Sequence, residues 1–145
     1  MLKPNPALGL VRVVIVDDHP WVRLGLISLI GAQAGFLVCG EAETAQQAIE
    51  LLAVSKPDLA IVDISLKGDI DGIELTRTLK RDYPAMPILV LSMHAEPKYA
   101  TRALEAGANG YMTKSEAPEA LISTLFRILN GEIYLSAKMA ESSST

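Results

Sequence analysis

Leu59-Ala60-Ile61-Val62-Asp63 is an apolar run with no polar break, closed by an acid. A strand with one wet face alternates apolar and polar side chains, so an unbroken run of this length reads as a strand covered on both faces. Val11 to Val16 and Ile88 to Leu91 read the same way, and a shorter run lies near Phe36 to Val38. Between these runs the spacing turns helical: Val22, Leu26, Leu29 and Ile30, then Ala45, Ala48, Ile49 and Leu52, and finally Leu121, Ile122, Leu125, Ile128 and Leu129. Thr44 and Gln47 form a capping-box pattern, Pro118 suits a first helical turn, and Gly107 and Gly131 stand where helices should stop. With a short fifth strand at Gly110 to Thr113, strict βα order predicts an α/β doubly wound parallel sheet of five strands, covered on both faces.

The chain has 145 residues, half of them hydrophobic, which suits one domain with a single substantial core. Thirteen basic against seventeen acidic residues leave a net charge of −4, so neither a nucleic-acid backbone nor an anionic membrane attracts the molecule as a whole. One cysteine, Cys39, excludes an internal disulfide framework and a cysteine-based zinc site, and it reads as a small core residue in a reducing compartment. No run approaches the roughly 18 apolar residues of a membrane span, and Lys3 to Gly9 is too short and proline-rich for a secretory segment. The expectation is a soluble, cytoplasmic protein with a tail over 1–10, a domain over 11–135, and a linker or tail over 136–145, where periodicity gives way to a serine run.

In open parallel α/β sheets, ligands bind outside the carboxyl ends of the strands, so the residues just after each run carry the information. Asp17 and Asp18 follow the first strand, Asp63 ends the third, Ser92 the fourth, and the fifth leads into Lys114. Three converging carboxylates repel one another unless a cation joins them, and an oxygen-rich donor set suits Mg²⁺. One carboxylate could then attack phosphorus while the ion, an ammonium and a hydroxyl hold the phosphoryl oxygens. Each residue alone has an ordinary reading, as a helix cap, a loop acid or a turn serine. Caps, however, give no reason for a lysine at the fifth strand beside three acids.

The stretches Val13-Val14-Ile15-Val16-Asp17-Asp18-His19, Asp58 to Asp63, Leu89-Val90-Leu91-Ser92 and Gly110-Tyr111-Met112-Thr113-Lys114, with Ala106 to Tyr111 before the lysine, resemble the response-regulator receiver domain of two-component signalling. The likeness covers about Val11 to Ser136. It implies a flavodoxin-like (βα)5 fold with strand order 2-1-3-4-5. It also implies that Asp63 takes a phosphoryl group from the phosphohistidine of a sensor histidine kinase. Mg²⁺ would be held by Asp18, Asp63 and the backbone carbonyl of Ser65, with Asp17 helping through water, while Lys114 and Ser92 contact the phosphoryl oxygens. Ser92 and Tyr111 would form the switch pair that alters the helix-four and strand-five face, with Ala100 to Ala106 packing lightly enough to shift. Tyr111 read from periodicity alone is a partly buried strand aromatic with no such role.

His19-Pro20, Leu66-Lys67-Gly68, Ser92-Met93-His94 and Asn130 to Ser136 resemble the branch whose members carry a C-terminal LuxR-type helix-turn-helix. That branch implies transcription as the output, DNA contact only through the second domain, and a possible homodimer on phosphorylation. The expectation is a receiver excised from a longer regulator rather than a stand-alone protein. Two departures stand out: the loop from Asp63 to Gly72 is longer than the common form and has Lys67 in place of a proline, and Ser115 follows Lys114 where many receivers have proline. The longer loop bears on the entry of helix three, and so on kinase recognition or acyl-phosphate lifetime. His19 and His94 read as loop residues that modulate access, since hard Mg²⁺ favours oxygen. Trp21 reads as a packing residue first and a kinase-facing one second. Two rivals are weaker. A flavin binder on this fold needs a phosphate-binding loop after the first strand, where Asp17-Asp18-His19-Pro20 would repel phosphate. A phosphatase acting through its own aspartyl phosphate usually has a second acid at the position of Ser65.

Overall fold

The computed structural model describes residues 9–93 and 96–135. The chain runs β1 (Val11–Val16), α1 (Pro20–Gly31), β2 (Phe36–Ala42), α2 (Ala45–Ser55), β3 (Leu59–Asp63), α3 (Gly72–Asp82), β4 (Ile88–Ser92), α4 (Pro97–Glu105), β5 (Gly110–Thr113), α5 (Ala117–Leu129) and a two-residue β6 (Tyr134–Leu135). All strand pairs are parallel, in the order β2-β1-β3-β4-β5-β6. The doubly wound fold and its 2-1-3-4-5 order are as expected. A two-residue β6 adds to the edge of the expected five strands. Gly131, at φ +89°, turns the chain after α5, and the Tyr134 N–H donates to the Asn109 carbonyl at 2.9 Å, which lays β6 along β5. Two residues give no readable alternation, so this edge left no pattern in the sequence.

The inner strands divide their side chains between two layers. Val14, Val16, Ala60, Val62, Ile88 and Val90 pack against α2, α3 and α4 through residues such as Leu52, Leu79 and Ala103. Val13, Ile15, Ile61, Leu89 and Leu91 face the opposite way, against Leu26 and Ile30 of α1 and Leu121, Leu125 and Ile128 of α5. Each of these strands is therefore apolar on both faces because helices cover both. β2 departs from that expectation. Only Phe36 and Ala42 are buried in it, because β2 has β1 on one side and no strand on the other. Cys39, expected in the core, is half-buried there.

Local chemistry sets where the helices begin. The Thr44 hydroxyl accepts from the Gln47 N–H at 3.1 Å, and Gln47 returns its side-chain carbonyl to the N–H of Glu43 rather than of Thr44. Asp71 caps α3 by accepting from the Glu74 N–H at 2.9 Å. Pro20, Pro97 and Pro118 occupy first turns, where no intrahelical partner for an N–H is lost. Among the described residues no helix is long and apolar enough to cross a membrane. His94 and the segments 1–8 and 136–145 lie outside the described residues.

Candidate functional site

The carboxyl ends of β1, β3, β4 and β5 meet on one rim, and the acids lie within it. Asp17 and Asp63 are each 1% exposed and the Asp18 side chain 7%. The Asp17 Oδ1 accepts from the backbone N–H of His19 at 2.8 Å, which folds the turn after β1 back on itself. The Asp63 Oδ1 accepts from the Ser65 N–H at 3.2 Å, and Ser65 itself lies exposed at the rim. β3 and β4 lock this turn, since the Ile64 N–H donates to the Leu91 carbonyl.

Lys114 answers the acids from β5. Its N–H donates to the Ser92 carbonyl at 2.7 Å, extending the ladder past Thr113, and its Nζ reaches Asp17 Oδ2 at 2.8 Å and Asp63 Oδ2 at 3.3 Å. One ammonium thus meets two of the three carboxylates. Burial raises the pKa of Asp63, and the neighbouring Asp17 raises it further, while Lys114 and the Ser65 N–H act in the opposite direction. Neither oxygen of Asp18 receives a hydrogen bond, although both are buried. Buried carboxylate oxygens without donors are costly unless a cation completes them, and an all-oxygen set of this kind fits a hard dication. The geometry thus gathers a buried carboxylate, a fixed ammonium and a donor set that could hold a cation.

Ser92 is fully buried at the end of β4, in register with Thr113 of β5. Its side chain hydrogen-bonds to the Tyr111 hydroxyl. Tyr111 is 0% exposed and packs in the α2–α3–α4 layer, so it is a core residue rather than a partly buried aromatic. Burial raises its hydroxyl pKa. The proposed switch pair is therefore in direct contact. Ala100 and Ala103 of α4 lie in the same cluster.

Two features of the rim, Arg23 and Gly72, were not read from the sequence, and a third, His19, was read only as a loop residue. Arg23 of α1 donates to the Asp17 carbonyl at 2.6 Å, and its other nitrogens bind Glu41 at 2.9 Å and Glu43 at 3.2 Å beyond β2. This ties the acidic turn to the neighbouring strand end, and no local spacing links residues so far apart. Gly72 begins α3 directly behind Asp63, where a Cβ would stand 2.0 Å from the Asp63 carbonyl oxygen. His19, set aside earlier as a loop residue, places Nδ1 at 2.9 Å from Asp17, 3.1 Å from Asp18 and 3.6 Å from Asp63. Trp21 corrects the packing expectation, being 84% exposed on α1. Lys67 and Ser115, the two departures, are exposed.

Residues 13–126 match the family of the response regulator receiver domain. The chain is 33% identical over 132 residues to the response regulator GacA of Pseudomonas aeruginosa, covering 91% of this chain and 61% of that protein. It is 35% identical to the transcriptional activator protein ExaE of Pseudomonas putida, over 88% of this chain and 59% of that one. Among solved structures, a two-component response regulator of the LuxR family from Aurantimonas sp. SI85-9A1 superposes with a TM-score of 0.86 at 39% identity, covering 91% and 94% of the two chains. The isolated REC domain of RcsB from Salmonella enterica serovar Typhimurium, in the presence of phosphomimetic BeF3−, gives 0.84 at 29% identity, covering 91% and 97%. These likenesses identify the doubly wound sheet, with its buried acidic rim and the lysine at β5, as a receiver domain of two-component signalling. The chain belongs to the response regulator receiver domain family. It spans about three fifths of the length of the curated relatives named here.

Proposed function

We propose that Asp63 accepts a phosphoryl group from the phosphohistidine of a sensor histidine kinase. An Asp63 oxygen attacks phosphorus, the P–N bond to the donor imidazole breaks, and its electron pair leaves with the imidazole nitrogen. The carrying observation is Asp63 Oδ2, buried, held 3.3 Å from the Lys114 ammonium and receiving no well-aligned hydrogen bond. Lys114 neutralises the incoming phosphoryl oxygens and the Ser92 hydroxyl donates to one of them. Asp18, Asp63 and the Ser65 carbonyl would hold Mg²⁺, with Asp17 acting through water. The ion, when bound, supplies positive charge where the transferred oxygens gather.

On this reading Ser92 is shared between two partners. Turning its hydroxyl toward a phosphoryl group breaks the hydrogen bond to Tyr111 and loosens the packing of Tyr111 against α4. The altered α4–β5 face would control an output, transcription through a helix-turn-helix domain, with a homodimer formed on phosphorylation. The domain proper covers 11–135, with a tail over 1–10 and a linker over 136–145. The test is incubation with a small phosphodonor and Mg²⁺, read by intact mass. Wild type should gain one acid-stable, base-labile phosphoryl group that Asp63→Asn does not. Equal labelling of the two proteins would remove Asp63 as the acceptor.

A further inference from the structure

We infer that His19 is a ligand of the cation site, and that this imidazole makes the site prefer borderline transition-metal dications of the Ni²⁺ and Zn²⁺ class over Mg²⁺. The inference rests on the reading of the acidic rim as a cation site.

The backbone places His19 for this. Pro20 follows it, and the residue before a proline is driven out of the helical region toward extended backbone. His19 accordingly has φ −98° and ψ 107°, and although it stands at the N-cap of α1 its side chain makes no capping bond. Its own N–H is held by Asp17 Oδ1, so the turn is fixed and the ring leans over the acids. Nδ1 and one oxygen each from Asp17, Asp18 and Asp63 all lie within 4.8 Å of one another.

Those separations are what a small dication requires. Ligand atoms bonded at about 2.0–2.1 Å lie roughly 2.9 Å apart at right angles and roughly 3.3 Å apart at tetrahedral angles. Nδ1 stands 2.9 Å from Asp17, in a hydrogen bond that an ion would displace, 3.1 Å from Asp18, and slightly farther, 3.6 Å, from Asp63. The Asp18 carboxylate points independently to a cation: its side chain is 7% exposed and both oxygens lack a hydrogen bond. Lys114 Nζ also approaches Nδ1, at 3.2 Å, but its closer partner is Asp17 Oδ2, which leaves Asp18 to the incoming ion. The ring is half-exposed.

The donor set therefore joins the carboxylates of Asp18 and Asp63 to one imidazole, with Asp17 acting through water. Hard Mg²⁺ gains little from nitrogen and keeps its waters, whereas imidazole suits Zn²⁺ and Ni²⁺, which also stand higher in the order of divalent affinities.

Calorimetric titration of the full chain with Ni²⁺ alone and with Mg²⁺ alone tests this, alongside pulsed EPR of the Mn²⁺-loaded protein. His19→Ala should weaken Ni²⁺ binding by about tenfold or more and change Mg²⁺ binding by less than about twofold. It should also abolish the imidazole-nitrogen hyperfine coupling to Mn²⁺, while Asp18→Asn weakens every ion. Circular dichroism shows that each variant is folded, and His19→Asn gives a second variant if the alanine fails. Unchanged Ni²⁺ affinity and an unchanged nitrogen signal in His19→Ala overturn the inference and leave the Mg²⁺ site standing. Loss of neither Mg²⁺ nor Ni²⁺ in Asp18→Asn overturns the cation reading of the rim itself.

Discussion

Asp63 is an acid in a place that resists its charge. Burial comes first among the causes and Asp17 second, and together they lift its pKa above the ordinary 3.8. An acid with a raised folded-state pKa binds its proton more tightly folded than unfolded. Its contribution to stability is therefore complete below the unfolded value and is lost as pH rises through the folded one. In metal-free buffer, Asp63→Asn should raise Tm at neutral pH, with the gain fading as pH falls toward 3.8. Melting curves across pH in chelator check this, and a gain equally large in acid would rule out burial of the charge as its source. Tyr111→Phe removes the hydrogen bond to Ser92 and should cost about 1 kcal/mol in a denaturant titration. The residue identities at the rim were legible because each follows an apolar run. The depth of Tyr111 was not, since a strand of four residues says nothing of which helix lies over it.

At the scale of elements, the rim depends on how closely helices approach strand ends. α3 begins at Gly72, and a Cβ there would meet the Asp63 carbonyl oxygen at 2.0 Å and the Ile64 Cα at 2.7 Å. These are backbone atoms, so either the helix or the Asp63 turn must move. Gly72→Ala should destabilise the fold by about 1–3 kcal/mol, the usual cost of overpacking, and slow phosphoryl uptake beyond what the lost stability explains. Denaturant midpoints with labelling rates of the folded variant separate the two effects. Arg23 joins α1 to the ends of β1 and β2 through one carbonyl and two glutamates. Arg23→Ala frees the Asp17-Asp18 turn, and weaker cation binding by about tenfold is expected from metal titration, with partial recovery in Arg23→Lys. Helix spacing and the Thr44 cap were readable from neighbours in sequence. The Arg23 clamp joins residues up to twenty apart, and no periodicity reports such a bond.

The whole molecule has two hydrophobic layers that share one sheet. Leu125 of α5 and Leu79 of α3 lie on opposite faces, 0% and 1% exposed. Truncation of either to alanine should cost about 2–5 kcal/mol. Because the inner strands contribute to both layers, either variant should still unfold in one transition, with the near-ultraviolet circular dichroism of the buried Tyr111 and the far-ultraviolet signal coinciding. Non-coincident curves would mean that the layers unfold separately. The sequence by itself determined the order of strands and helices, the parallel sheet and the residues at the strand ends. Those follow from apolar runs and helical periods, which are properties of neighbouring residues. Only the tertiary structure decided that β2 is a half-covered edge, that β6 extends the sheet, that Tyr111 touches Ser92, and that His19 and Arg23 converge on the acids. Each of these depends on how segments distant in the chain are brought together, by packing and register rather than by local pattern.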